Sequence, residues 1–370
     1  MKILISPLDW GLGHATRCIP IIRYLLEKGC EVVIGADGRS LDLLKMEFPA
    51  CEFVLMSGYG ISYPKNGSMV LKMISQIPKI VYGVKREHEQ LEKIIRKKNI
   101  DAVISDNRFG LWSREVPCVF MTHQLMIKSP FGERWMHELN KKYISKYAEC
   151  WIPDVKGVNN LSGDLAHGFP LLENAKYIGI LSRFKVPPIS SFYEKEKNQL
   201  LVILSGPEPQ RTVLERKILE QLDGVLNNYK KILIVQGITE KKHRVKVLTS
   251  VETVSHLTSD ELCEEIISSE MIISRPGYSS VMDLAMLSKK AIFIPTPGQT
   301  EQEYLAKFYS EKQIAYSVSQ KKFDLKIALE ESKKYSGFTC KYSAEEYKVS
   351  VDLLLNKVRN KKINLHSSLV

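Results

Sequence analysis

Short runs of Val, Ile and Leu without polar alternation recur along this chain, separated by stretches with helical periodicity. A strand that is apolar on both faces has to be covered on both, which is the condition of a parallel sheet between two helix layers. The pattern predicts strands at 2–6, 31–36, 51–56, 101–105, 117–122 and 149–152. A helix with Ile19, Ile22 and Leu26 on one face joins the first two, and 69–98 reads as a longer helical stretch broken by Pro78. The plan then starts again. Strands are predicted at 200–204, 231–235, 245–248, 271–274 and 291–295, with helices at 211–222, 260–269, 279–287 and 302–312. Residues 181–198, LSRFKVPPISSFYEKEKN, are rich in Pro, Ser and charge and read as a linker. A chain of 370 residues is too long for one comfortable core. The expected fold is therefore α/β: two doubly wound parallel-sheet domains, 1–180 and 199–342, facing across a cleft. Residues 343–370 form a C-terminal helix that returns to the first domain, and a polar tail. Ligands of such sheets bind at the carboxyl ends of the strands.

Bulk properties narrow the class. No apolar run is long enough to span a bilayer, and Met1–Pro7 turns polar too early for a signal peptide, so a cytoplasmic protein is expected. The seven cysteines are scattered without a Cys-x-x-Cys pair, which argues against a disulfide framework or a zinc ribbon. The matches to Asn-x-Ser at Asn66 and Asn160 are then chance sequons. A net charge of +11 favours anionic partners. No zinc-finger, aromatic RNA-binding or helix-turn-helix signature is present, so nucleic acid is not among the expected partners.

The most informative stretch is SRPGYSSVMDLAMLSKKAIFIPTPGQTEQEYLA, Ser274 to Ala306. A strand ends at Ser274, Arg275-Pro276-Gly277 turns tightly, and Ser279 and Ser280 stand at a helix start. Hydroxyl side chains there cap the first turn, and exposed N–H groups at the positive helix end make an anion site. One turn on, Asp283 can accept hydrogen bonds from a ribose diol. The loop Pro295-Thr296-Pro297-Gly298 exposes Gln302 and Glu303, side chains suited to sugar hydroxyls.

This segment resembles the nucleotide-sugar signature of GT-B glycosyltransferases, above all the MurG-like enzymes of glycosyltransferase family 28 and the UDP-glycosyltransferases. The pattern is an Arg-x-Gly turn, Ser or Thr at a helix start, and an acidic residue eight positions after the arginine. Arg275, Gly277, Ser280 and Asp283 match it, with Asp283 where MurG-like sequences carry Glu. Gln302 and Glu303 fall where those sequences have two glutamines, and the resemblance assigns them to the donor sugar; Glu303 leaves the identity of that sugar open. Ser205–Arg211 matches the phosphate-side loop, with Gly206 and Arg211 as donor residues and prolines in place of small residues. Val235-Gln236-Gly237 and Ser255-His256-Leu257 fall at loops near the base. The likeness covers nearly all of 199–310 and implies a GT-B fold of two Rossmann-like domains.

In the same families the first strand leads into a glycine-rich turn ending Gly-His. Here that turn is DWGLGH, Asp9 to His14, followed by Arg17-Cys18-Ile19-Pro20. Gly11 and Gly13 let the backbone approach substrates closely. The positive end of a helix favours an uncharged imidazole, and UDP-glycosyltransferases pair such a histidine with an aspartate on a later strand. His14 is thus expected as the base for the acceptor hydroxyl, with Asp106, at the end of DAVISD, behind it. Asp9 is the competing base, and His14 could instead only cap the helix or contact the acceptor. His123, at another strand end, is placed on the acceptor side by the MurG-like pattern. No Asp-x-Asp occurs, which points to diphosphate stabilisation by Arg, backbone N–H groups and a helix end, without metal.

The implied activity is transfer of a hexose or N-acetylhexosamine from a UDP-sugar to an acceptor hydroxyl, with inversion. The nucleotide sugar is a substrate and no resident cofactor is expected. A glycan or a lipid-linked molecule is the expected acceptor. Phe131, Trp135, Leu139 and Tyr143, interleaved with lysines, form a stripe that either packs on the sheet or touches an anionic membrane at its inner face. The alternatives are a nucleotide-sugar 2-epimerase, a non-catalytic nucleotide-sugar sensor, and a dinucleotide oxidoreductase, against which the missing Gly-x-Gly-x-x-Gly counts.

Overall fold

A computed structural model describes residues 1–9, 11–59, 77–126, 133–184, 199–238, 243–339 and 342–367. Most of the expected linker (185–198), the first part of the expected long helix (69–76) and the start of the basic stripe, with Lys128 and Phe131, lie outside them.

The first sheet holds β1 (Lys2–Pro7), β2 (Glu31–Ala36), β3 (Glu52–Leu55), β4 (Ala102–Asp106), β5 (Cys118–Met121), β6 (Glu149–Ile152) and β7 (Ala175–Tyr177). Its order is β3-β2-β1-β4-β5-β6-β7, and all pairs are parallel. The helices α1 (Leu12–Glu27), α2 (Gly38–Glu47), α3 (Ile77–Lys98) and α4 (Glu133–Ile144) lie between these strands in the chain. The central strands are buried along their whole length, which is why their sequences show no alternation. Pro78 is the second residue of α3, where its missing N–H would have had no helical partner; the stretch before it lies outside the described residues.

The second sheet holds β8 (Gln199–Ile203), β9 (Lys231–Val235), β10 (Arg244–Leu248), β11 (Val251–Val254), β12 (Met271–Ser274), β13 (Ala291–Phe293) and β14 (Tyr316–Ser317). Its order is β10-β11-β9-β8-β12-β13-β14, parallel except for β10 against β11. Its helices are α5 (Gln210–Leu219), α6 (Ser259–Ser268), α7 (Tyr278–Met286), α8 (Thr300–Glu311) and α9 (Leu325–Ser332). The sequence reading lacks β7, β11, β14, α2 and α9. The strands among them are two to four residues long, too short for a periodicity to register, and α2 carries a charged, polar face.

Both sheets reverse their strand order once, between β1 and β4 and between β8 and β12. A reversal parts the outgoing loops and opens a crevice at the carboxyl edge. The turn after β1 and the end of β4 meet at the first reversal. The loop after β8 and the Arg275 turn meet at the second.

The chain divides into two compact units, Met1–Trp10 with His14–Leu181 and Ser343–Val370, and Gly11–Gly13 with Ser182–Tyr342. The last helix, α10 (Glu346–Ser367), packs on the first unit through buried Tyr347, Val351, Leu354, Leu355 and Val358. The Tyr347 hydroxyl donates to Pro20 O (3.2 Å), and Asp352 accepts from Tyr24 (2.8 Å) and Lys28 (3.3 Å). Of the basic stripe, Tyr143 packs against a cluster of Leu8, Tyr59 and Val84. Among the described residues no helix is long and apolar enough to cross a membrane.

Candidate active site

At the first reversal, Gly11 turns the chain at φ +111°, where a side chain would be strained, and α1 starts at once. His14 lies in the first turn of α1, and Asp106 is the last residue of β4. Asn107 follows in the left-handed region (φ 60°), so the chain leaves the strand sharply. Arg108, fully buried, then donates to Pro7 O (3.1 Å), Met56 O (2.9 Å) and Ser57 O (2.7 Å) and pairs with Glu87 (2.7 Å). It ties the ends of β1 and β3 to β4 and makes this edge rigid.

The structure brings His14, Asp106 and His123 together around a residue that the sequence reading treated only as part of a helix start. Arg17, 2% exposed, donates through Nε to Asp106 Oδ2 (2.6 Å) and through Nη2 to Asp106 Oδ1. Its Nη1 donates to His123 Nδ1 (2.7 Å) and its Nη2 to His14 Nδ1 (2.8 Å). The same His14 Nδ1 is 3.2 Å from Asp106 Oδ1. A spacing of three on one helix, from His14 to Arg17, was the available signal. Burial pushes the Asp106 carboxyl up, but its charged and hydrogen-bonding neighbours, Arg17 foremost, outweigh it and hold it at about 2. Asp9 accepts from the Ser40 hydroxyl (3.0 Å) and backbone N–H (3.4 Å), on the neighbouring α2. His123 is 5% exposed.

At the second reversal the expected donor arginines are turned inward. Arg275, 1% exposed, donates to Ile294 O (2.8 Å), Pro295 O (3.1 Å), Gln210 O (3.0 Å) and Gln320 Oε1 (2.5 Å). Burial lowers its guanidinium to about 10. Arg211, 7% exposed, donates to Glu208 (2.6 Å), Glu215 (2.8 Å) and Thr212 (2.8 Å). Both therefore brace loops, where the sequence reading has them facing a phosphate. A buried guanidinium finds carbonyl and carboxylate partners within its own domain.

Asp283 is likewise engaged. Its Oδ1 accepts from the Ser182 hydroxyl (2.7 Å) and Arg183 N–H (3.3 Å), and its Oδ2 from Arg183 Nε (3.1 Å). Burial pushes this carboxyl up by more than Arg183 and Ser182 bring it down. The cap expected from Ser279 or Ser280 is not made. The helix begins one residue earlier, so Gly277 is the N-cap and both serines fall inside the first turn. Gln302 and Glu303 each fold one oxygen back onto the loop before α8, accepting from Thr296 N–H (2.8 Å) and Gly298 N–H (2.9 Å). The Gln302 amide nitrogen and the second Glu303 oxygen remain for a ligand. On the base side, Gln236 follows β9 and bonds His243 (2.8 Å), whose N–H donates to Ser255 (3.0 Å).

What this edge offers is backbone. The adjacent strands β12 and β13 lead into α7 and α8, whose N-cap residues make no side-chain cap, while at the start of α5, after β8, the Glu208 carboxylate accepts from Thr212 N–H (3.3 Å). By contrast α6 carries a full capping box, Thr258 with Glu261. Between the uncapped starts lie two buried hydroxyls, Ser274 Oγ and Thr296 Oγ1, with no hydrogen-bond partner among the described residues. Gly206, at φ +101°, passes Thr296 so closely that a Cβ there would lie 3.3 Å from its hydroxyl. Orphaned buried hydroxyls beside positive helix ends suit an anionic, hydroxyl-bearing ligand. Ser274 and Thr296 were missed in sequence because only the strand order makes them neighbours. Among the described residues no cluster of His, Cys, Asp or Glu could hold a metal ion.

Residues 201–342 match the glycosyltransferase family 28 C-terminal domain. An uncharacterized glycosyltransferase of Methanosarcina mazei is 24% identical over 335 residues, 82% of each chain. The UDP-N-acetylglucosamine–N-acetylmuramyl-(pentapeptide) pyrophosphoryl-undecaprenol N-acetylglucosamine transferase of Buchnera aphidicola is 24% identical over 311 residues, 79% of this chain and 77% of that one. In solved structures, MurG of Acinetobacter baumannii superposes with a TM-score of 0.57 at 13% identity, covering 96% of this chain and 99% of that one. Two parallel sheets with their order reversals, a family 28 domain over the second and glycosyltransferase relatives along both make this chain a GT-B-fold glycosyltransferase that resembles MurG.

Proposed function

We propose that the protein moves a hexose or N-acetylhexosamine from a UDP-sugar to an acceptor hydroxyl, with inversion and without a divalent cation. The observation that carries the donor side is the edge of β12 and β13, where the uncapped starts of α7 and α8 lie beside the buried hydroxyls of Ser274 and Thr296, which have no hydrogen-bond partner among the described residues. First-turn N–H groups and a helix dipole stabilise the diphosphate as it leaves. The acceptor oxygen attacks the anomeric carbon, and the bond from that carbon to the diphosphate oxygen breaks with its electron pair. The hydroxyl proton goes to a group on the turn after β1, where His14 and Asp9 are the candidates. The UDP assignment is supported by the activity for which the Buchnera relative is named, and so is a lipid-linked or glycan acceptor. The charge of +11 suits a phosphorylated acceptor or peripheral contact with the anionic inner face of a membrane.

Calorimetric titration with UDP, set against ADP and NAD and without added metal, tests this. Binding of UDP alone is the expected result; binding of NAD but not UDP would sink it. Asp283 sharpens the test. Because burial outweighs its partners, replacing the charge by an isosteric amide is expected to leave folding within about 1 kcal/mol. Asp283→Asn should nevertheless weaken UDP binding if a ribose shares the carboxylate with Ser182 and Arg183. Unchanged UDP affinity would leave Asp283 as an anchor for residues 182–184 only.

A further inference from the structure

We propose that Arg17 is a positioning residue that sets the tautomer of both histidines at the acceptor edge, so that His14 and His123 present Nε2–H donors. An arginine side chain has five N–H donors and no acceptor, and it stays charged. Each nitrogen that it approaches at hydrogen-bond distance must therefore accept. Arg17 Nη2 stands 2.8 Å from His14 Nδ1, and Nη1 stands 2.7 Å from His123 Nδ1. Both Nδ1 atoms thus carry a lone pair, and in each ring the proton sits on Nε2.

For His14 the alternative is a proton on Nδ1, donated to Asp106 at 3.2 Å. That choice would set an imidazole N–H against a guanidinium N–H at 2.8 Å, two donors pointing at each other. Asp106 does not need the histidine. Its two oxygens already receive Nε and Nη2 of Arg17, the fork geometry in which a carboxylate is best satisfied. Cys18, with Sγ 3.7 Å from Asp106, is held as a thiol by burial and adds no charge. The groups facing His14 that bear on its state are therefore one fixed cation and the anion that this cation neutralises.

The chemical consequence is specific. An imidazole with its proton on Nε2 and its Nδ1 lone pair engaged by Arg17 has no free lone pair on the side away from Arg17. It donates a hydrogen bond and takes no proton. His14 then orients an acceptor oxygen, and of the two candidates on the turn Asp9 is the one that receives the hydroxyl proton. This step deepens the glycosyl-transfer reading and relies on it only for what the donors face; the tautomer is a property of the protein alone.

The test uses the full chain without ligand, labelled with 15N at histidine. Long-range 1H–15N spectra report each ring nitrogen separately, and His14→Gln and His123→Gln assign the signals. Both rings are expected to show an unprotonated Nδ1 and a protonated Nε2. In Arg17→Lys, which keeps a cation beside Asp106 but loses the fork, the His14 pattern should invert as Nδ1 turns to Asp106. A protonated Nδ1 on His14 in the unmodified protein overturns the proposal, and that spectrum is decisive even where Arg17→Lys fails to fold. An Arg17→Lys spectrum identical to the parent also overturns it. UDP titration on the same sample reads the glycosyltransferase assignment separately, so the two can fail independently.

Discussion

Asp106 shows how much one buried charge depends on one partner. Its folded-state value of about 2 lies below the ordinary aspartate value of 3.8. A depressed carboxylate contributes stability that is present above the unfolded value and lost as pH falls through the folded one. Between pH about 4 and about 2 the unfolded chain takes up a proton that the folded chain refuses, and about 2 kcal/mol fades. Urea unfolding of Asp106→Asn at neutral pH is expected to show a loss of about 3 kcal/mol, because Arg17 is left buried without its counter-charge. The variant's stability should also lose part of the acid dependence seen in the parent. His14 offers a second check at this scale. The Gln carboxamide reaches the Nε2 position, donates and takes no proton, so in turnover of a UDP-sugar His14→Gln should stay within about tenfold of the parent. Loss of the donor in His14→Ala should cost about a hundredfold, with UDP affinity unchanged in both. His14→Gln as inactive as His14→Ala would return the base role to His14.

Among the elements, α7 makes the sharpest prediction, since stability and binding should move in opposite directions. Its N-cap is Gly277, in extended backbone (φ −71°, ψ 140°), and an added Cβ would meet nothing within 4 Å. Gly277→Asp therefore fits and supplies the missing cap. Thermal unfolding should rise by the equivalent of about 0.5–1 kcal/mol, while UDP affinity falls at least tenfold, because the new carboxylate occupies the amides and repels the diphosphate. Weaker UDP binding without the gain in stability would mean that the substitution had damaged the loop. On the proposed donor reading, Gly277 leaves open the first-turn amides that a side-chain cap would close.

At the scale of the molecule, both units brace the carboxyl edge of the sheet with a buried arginine within two residues of a strand end, Arg108 after β4 and Arg275 after β12. The two differ in that the first unit is completed by the far end of the chain. Deleting 343–370 uncovers the surface that Tyr347, Val351, Leu354, Leu355 and Val358 bury, worth more than about 5 kcal/mol by apolar area. Calorimetry of the truncated chain should show the transition of the first unit lowered or lost and that of the second in place. A single transition, moved as a whole, would contradict this.

Fold class, the repeated βα plan and the turn after β1 were legible in the sequence. Periodicity, glycine turns and helix starts act over a few residues, so the chain carries them openly. The direction in which a charged side chain points is another matter. Arg17 reaches Asp106 across 89 residues, Asp283 reaches Ser182 across 101 and Arg275 reaches Gln320 across 45. Read locally, Arg275, Arg211 and Asp283 are ligand groups, while Arg17 is only part of a helix start. Folding gives each of them partners inside the protein. A charge removed from water has to find its partners inside the protein, and the strand order of each sheet alone decides which partners stand within reach.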